Sequence, residues 1–313
     1  MTLPAALLDR LKVPAIAAPM FLVSGTDMVL AACRAGIIGS FPANNARTLD
    51  DLDAWMSLIG RELPADAPPW AVNIMVHRSY ARKDEELELV LKHRPPIVIT
   101  ALGAPSGVVD AIHGYGGLVY ADVNSLTHAE KAAASGVDGL ILVASGAGGH
   151  TGPISGFAFA PAVCEMFDGT IVLGGGIGSG RAILAARALG ADLAYLGTRL
   201  IACAESLAQP GYKQMLIEAR AEDIVTSAAL TGIPANWLRQ SLLAAGYDPA
   251  SLTGRAEIQL GRPEDSAKRW RDVWAAGHGV GEVKAIEPLA DIVASLSVDY
   301  ERARATVGAG RRA

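Results

Sequence analysis

The sequence predicts an α/β chain folded as a (β/α)₈ barrel with a helical insertion after the eighth strand. Three observations predict it. Eight short apolar runs recur, most of them about 20 to 30 residues apart, the spacing of βα units. The stretches between them are Ala-rich and amphipathic. The runs are near-continuous in hydrophobicity, which suits parallel strands buried on both faces and closed into a barrel better than an open doubly wound sheet.

The runs are PAIAAPM (14–20), GIIGSF (36–41), WAVNIMV (70–76), PIVITAL (96–102), GLVYADVN (117–124), GLILVAS (139–145), TIVLGGG (170–176) and LAYLGTRLI (193–201). The connecting segments carry helix grammar. TLDDLDAWMSLIGRELP opens on Thr48 with acids in its first turn, as a helix N-terminus should. SLTHAEKAAASGVDG and GSGRAILAARALGAD each have a hydroxyl start, an alanine body and a glycine stop. Residues 204–270 break the rhythm and read as a helical insertion or lid. Residues 1–203 and 271–313 then form the barrel, the second piece closing it with a loop and a helix.

With 313 residues, 51% of them hydrophobic, the chain has material for one large core. The formal net charge is −5 and no Lys/Arg block stands out, which argues against nucleic-acid and anionic-membrane partners. Cys33, Cys164 and Cys203 are odd in number and far apart, which suits a reducing compartment. The N-terminus lacks the pattern of a signal peptide and the apolar runs are short, so a cytoplasmic protein is expected.

A parallel barrel places its site at the C-terminal ends of its strands. After the seventh run comes GGGIGSGR (174–181), and after the eighth, GTR (197–199). Loops in those two positions commonly bind phosphate, and glycines let backbone N–H groups approach an anion. The alternative is that glycines merely end the strands. APM after the first run and VNIM in the third offer small and amide-bearing positions for a flat ring. Asn73 can donate and accept hydrogen bonds to such a ring, or it can be a satisfied structural amide.

The sixth run leads into ASGAGGHTGP (144–153). Gly148 and Gly149 would remove bulk from a cofactor face and leave His150 protruding. The imidazole could be a surface group, a metal ligand or a base. The other histidines show no HxH or HExxH spacing, so no metal is expected. An unperturbed imidazole, with a pKa of ~6.5, is a usable base at neutral pH. None of the lysines ends a strand, which counts against Schiff-base chemistry. Neither a GxSxG elbow nor a P-loop is present.

Four stretches in order, APMFLVSG, GAGGHTG, VLGGGIGSGRAILAARALGADLAYLGTRLIA and WAAGHGVG, resemble the nitronate monooxygenase family, formerly the 2-nitropropane dioxygenases. Members are FMN-dependent TIM-barrel enzymes. The resemblance implies that His150 is the catalytic base, that Gly175, Gly176, Gly197 and Thr198 hold the FMN phosphate, and that Pro19, Met20 and Asn73 lie by the flavin, with Gly149 on its face. It implies a nitronate or nitroalkane substrate, O₂ as oxidant, and carbonyl and nitrite products. An NAD(P)H-dependent quinone or enoyl-thioester reductase is the alternative on the same fold. A homodimer is compatible with either. Two departures stand out. Ala275 and His278 replace the serine and glutamine of SAGQ, and Asp122 stands where members often have a lysine. That change reverses a charge near the ring, unless Asp122 is an Asx-type turn capping the strand end.

Overall fold

The computed structural model describes residues 8–256 and 271–309. Residues 257–270 of the expected insertion, and both chain ends, lie outside the described residues.

All eight predicted runs form strands. They are β1 (Ala15–Ala17), β2 (Gly39–Pro42), β3 (Trp70–Met75), β4 (Ile97–Ala101), β5 (Leu118–Val123), β6 (Gly139–Val143), β8 (Thr170–Gly174) and β9 (Leu193–Leu196). A two-residue strand, β7 (Gly149–His150), falls between the sixth and seventh. The eight pair in parallel in the order β1-β9-β8-β6-β5-β4-β3-β2. An Ile16–Ile38 bridge joins the two ends, with Ala17 N–H donating to Ile38 O at 2.8 Å.

Side-chain alternation along each strand separates two cores. Ile16, Ile38, Ala71, Ile97, Ile99, Tyr120, Ile141, Val172 and Leu193 point inward and fill the barrel. Their neighbours, including Val72, Val98, Val119, Leu140 and Ile171, point outward to the helices. The barrel is therefore closed below, and any site must lie above this layer. The helix starts fall where hydroxyls were expected to cap them. Thr48 and Asp51 form a reciprocal capping box, Ser125 accepts from His128 N–H, and Ser179 accepts from Ala182 N–H. The terminal helix, Leu289–Gly308, packs its Leu289, Ile292, Val293 and Leu296 with Met28, Ala32 and Ile183.

The insertion differs from the expected all-helical segment. It contains helices Pro210–Glu218 and Arg239–Ala244, but also strands β10 (Ile224–Ser227) and β11 (Ala235–Leu238). IVTS and ANWL are β-branched and aromatic runs separated by a turn around Gly232, whose φ of 76° lies in the left-handed region. That is hairpin chemistry, and each run is too short to stand out among its helix-forming flanks. β11 also pairs antiparallel with β7, which joins the insertion to the barrel's sixth loop. Among the described residues no helix is long and apolar enough to cross a membrane.

Candidate active site

The strands' C-terminal ends surround a cavity of about 850 Å³. That is near the upper end of the roughly 300–1,000 Å³ usual for small-molecule sites. Pro19, Met20, Asn73, Asp122, Gly149, His150, Gly175, Gly176, Gly197 and Thr198 all line it. The sequence scatters these ten residues over 180 positions, and the fold brings them to one space.

One wall is built from glycines. Gly175 and Gly176 have φ of 131° and 72°, conformations that favour glycine. A Cβ on Gly176 would meet nothing within 4 Å, and one on Gly197 would find only Met20 Sδ at 3.6 Å and Ala18 Cβ at 3.9 Å. Thr198 stands next to this opening and its hydroxyl accepts from Gly277 N–H at 2.8 Å. The hydroxyl proton is left to donate. Gly176 N–H itself donates to Gly146 O at 3.2 Å, so this amide is partly used within the wall.

The small residues around His150 serve different ends. Gly149 has φ of 67° and needs the left-handed region. Gly148 lines the cavity, as the sequence suggested, and it also packs against a second loop. A Cβ there would lie 2.8 Å from Gly277 N and 3.0 Å from Thr198 Oγ1, so the residue is small to let two loops touch. His150 is half-buried on β7, opposite Ala235 of β11. Burial, which penalises the charged ring, draws its pKa from 6.5 down to about 4.

The loop after β1 is stapled by residues that sequence reasoning missed. Asn45 donates to Met20 O at 3.0 Å and to Ser24 O at 2.7 Å, while its oxygen accepts from Leu22 N–H at 2.8 Å. Leu22 has φ of 60°, so these bonds hold a strained turn beside Pro19 and Met20. Asn73 donates to Ile99 O at 3.3 Å and it lines the cavity.

Asp122 is not an Asx-turn cap. Its Oδ1 is buried and has no hydrogen-bond partner among the described residues. Burial pushes its pKa from 3.8 up to about 7. Tyr195 on β9 was missed, though it shares an inward face with Gly197 by the period-two rule. Its hydroxyl is likewise buried without a partner, and the Asp122 charge raises its pKa further. The rim was missed as well. Lys131 and His128 come from the helix after β5, and Arg255, whose Nε donates to Gly232 O, comes from the insertion. Ala275 is buried, and its carbonyl accepts from the Tyr212 hydroxyl. His278 is exposed, with its N–H on Gly146 O at 2.9 Å.

A family model described as nitronate monooxygenase matches residues 68–299, which carry six of the eight barrel strands and most of this cavity. The chain belongs to the nitronate monooxygenase family. It is thus an enzyme of an oxidoreductase family. It is 28% identical to a nitronate monooxygenase of Paraburkholderia phytofirmans, with 92% of each chain covered. It is also 28% identical to a Mycobacterium tuberculosis protein named a hydroxy-methyl-oxo-octahydroindene-carboxyl-CoA dehydrogenase, over 74% of this chain and 64% of that one. The solved structure of a nitroalkane oxidase from Streptomyces ansochromogenes superposes with a TM-score of 0.79 at 26% identity, covering 96% of this chain and 99% of that one. In this family member the histidine stands on a strand shared with the insertion, and an acid, Asp122, lines the same cavity.

Proposed function

We propose that the protein oxidises alkyl nitronates and nitroalkanes with O₂, giving a carbonyl compound and nitrite, with FMN as its cofactor. The observation that carries this reading is His150. It lines the same cavity as the glycine wall, and burial keeps it unprotonated.

The chain fits FMN by two features. Gly176 and Gly197, flanked by Gly175 and Thr198, leave a cradle that a Cβ on either would begin to fill, which suits a phosphate. Pro19, Met20 and Asn73 supply the flat and amide-bearing surface for the ring. FMN, when bound, supplies the electron acceptor for the substrate and the electron donor for O₂. The chain supplies position and proton transfer. His150 removes the α-proton of a neutral nitroalkane, or orients a nitronate that has already lost it. Such a placed base is typically worth roughly 10²–10⁴-fold. Lys131 and Arg255 at the rim favour the entry of an anion.

The test is His150→Ala. Turnover of nitroethane should fall by about 10²-fold or more while the flavin stays bound, and turnover of propyl nitronate should fall less. Equal losses on both substrates, or none on either, would overturn the base role.

A second reading has its own support. The cavity leaves room beyond a flavin, its rim carries Lys131, His128 and Arg255, and one relative is named a CoA-ester dehydrogenase. An NAD(P)H-dependent reduction of a quinone or enoyl thioester would use the same wall. Anaerobic mixing separates the two readings. Fast flavin bleaching by NADH favours the reductase, and fast bleaching by a nitronate with a slow NADH reaction favours the oxidase.

A further inference from the structure

The cavity floor holds two polar groups that the fold leaves unserved. Asp122 Oδ1 and the Tyr195 hydroxyl are both buried, both without a hydrogen-bond partner among the described residues, and both on residues that line the cavity. They stand on β5 and β9, one layer above the apolar fill of the barrel. Native structures rarely leave buried polar atoms unpaired, and an orphan that faces a cavity points to a ligand atom.

The groups around Asp122 decide its form. From β9 comes the Tyr195 phenol, neutral and made harder to ionise by the acid itself. From β7 comes His150, neutral down to about pH 4. From β3 come Asn73 and Met75, and the flanking strands β4 and β6 bring Ala101 and Val143, all uncharged. The ionisable side chains on the next helix, His128 and Lys131, are exposed at the rim. Among the described residues no cation in the floor neutralises a carboxylate. Burial accordingly holds the acid form up to about pH 7.

We infer that Asp122 is a cofactor-binding residue whose carboxylic acid donates a hydrogen bond to an acceptor atom on the edge of the flat heteroaromatic ring, a neutral donor where the family resemblance expects a cation. This rests on the flavin reading above. It implies that ring binding weakens once Asp122 ionises. A carboxylate cannot donate, and it would face an acceptor edge in a dry floor.

The experiment is FMN release from holoprotein diluted to equilibrium between pH 6 and 8.5, read by free-flavin fluorescence, for wild type, Asp122→Asn and Asp122→Ala. The wild-type dissociation constant should rise by about tenfold across the range. Asp122→Asn, which keeps a donor but does not titrate at this position, should lack that rise and move only with the FMN phosphate. Asp122→Ala should bind more weakly at every pH. An FMN phosphate also titrates, near pH ~6, but the asparagine variant carries that effect unchanged, so the difference between the curves isolates Asp122. Parallel wild-type and Asp122→Asn curves would overturn the inference. So would wild-type binding that tightens relative to Asp122→Asn as pH rises, since the carboxylate would then be an acceptor. A wild-type protein that neither carries nor takes up FMN at any pH would instead overturn the flavin reading, and this inference with it.

Discussion

His150 and Ala235 face each other in an antiparallel pair, so the imidazole that lines the cavity is carried by a strand whose partner belongs to the insertion. Thr151 N–H donates to Pro234 O at 2.9 Å, and the Asn236 side-chain amide donates to Ala147 O at 2.7 Å. The insertion is therefore part of the frame that aims His150.

Asn236→Ala tests that frame. Asn236 is 1% exposed, and its loss strips a partner from both Ala147 O and the Thr226 hydroxyl. Ala147 is half-buried and Thr226 exposed, so each lost hydrogen bond costs about 0.5–1.5 kcal/mol rather than the full penalty of a buried orphan. Thermal unfolding should move down by a few degrees and nitroalkane turnover should drop by about tenfold, because misplacing a base by a fraction of an ångström is expensive. Unchanged turnover in a destabilised variant would show that the sixth loop holds His150 unaided.

The acidity of His150 sets the low-pH limb of activity. The working form is the neutral ring, and burial has moved its pKa from 6.5 down to about 4. Activity that needs the neutral form persists above the folded pKa and is lost as pH falls through it. The kcat/KM profile for a neutral nitroalkane should therefore hold its His150 limb down to about pH 4, since kcat/KM reports the free enzyme. A limb at pH ~6.5 would mean that the ring is solvated as in water. The same desolvated imidazole opposes folding in acid. The unfolded chain binds the proton more readily, so stability falls as pH drops from about 6.5 toward about 4.

The barrel was legible because each strand writes its own signal. Apolar runs, glycine stops and the hydroxyl starts at Thr48, Ser125 and Ser179 are local features, and local features survive in sequence. The glycine wall and His150 were legible for a related reason, since strand ends in a parallel barrel converge on one face. What escaped depends on distance in the chain. β7 is two residues long, and its partner lies some 85 positions later, so no period marks it. Asn45 staples a turn more than twenty residues away. The upward shift of Asp122 reflects its burial, without a cation beside it among the described residues, and a sequence cannot display an absence of neighbours. Tyr195 could have been found, because Leu193, Tyr195 and Gly197 share one face of their run.

Gly277 should be far less tolerant than its neighbour Gly281. A Cβ at 277 would overlap Gly146 O and sit 2.8 Å from Gly148 N, backbone atoms that cannot rotate away, whereas one at 281 would meet nothing within 4 Å. Gly277→Ala must part the sixth loop from the loop that carries Gly277. It should lower the melting temperature and reduce the flavin content of the purified protein, while Gly281→Ala leaves both within error. Equal flavin content in the two variants would show that the contact between these loops does not shape the cavity.

Thr198 offers the sharpest separation of packing from hydrogen bonding in the proposed phosphate cradle. Its hydroxyl accepts from Gly277 N–H at 2.8 Å and faces the cavity at the mouth of the glycine wall. Thr198→Val keeps the shape but removes both the acceptor for Gly277 and the donor available to an anion. Thr198→Ser keeps both. If the hydroxyl bridges the wall to a phosphate, the valine variant should lose about tenfold or more in FMN affinity, and the serine variant should recover most of it. Riboflavin gives the decisive control. It lacks the phosphate, so its weaker binding should be nearly the same for threonine and valine. A valine variant that lost riboflavin and FMN affinity in equal measure would place Thr198 at the ring or in the fold, and the phosphate would have to be held elsewhere on the wall.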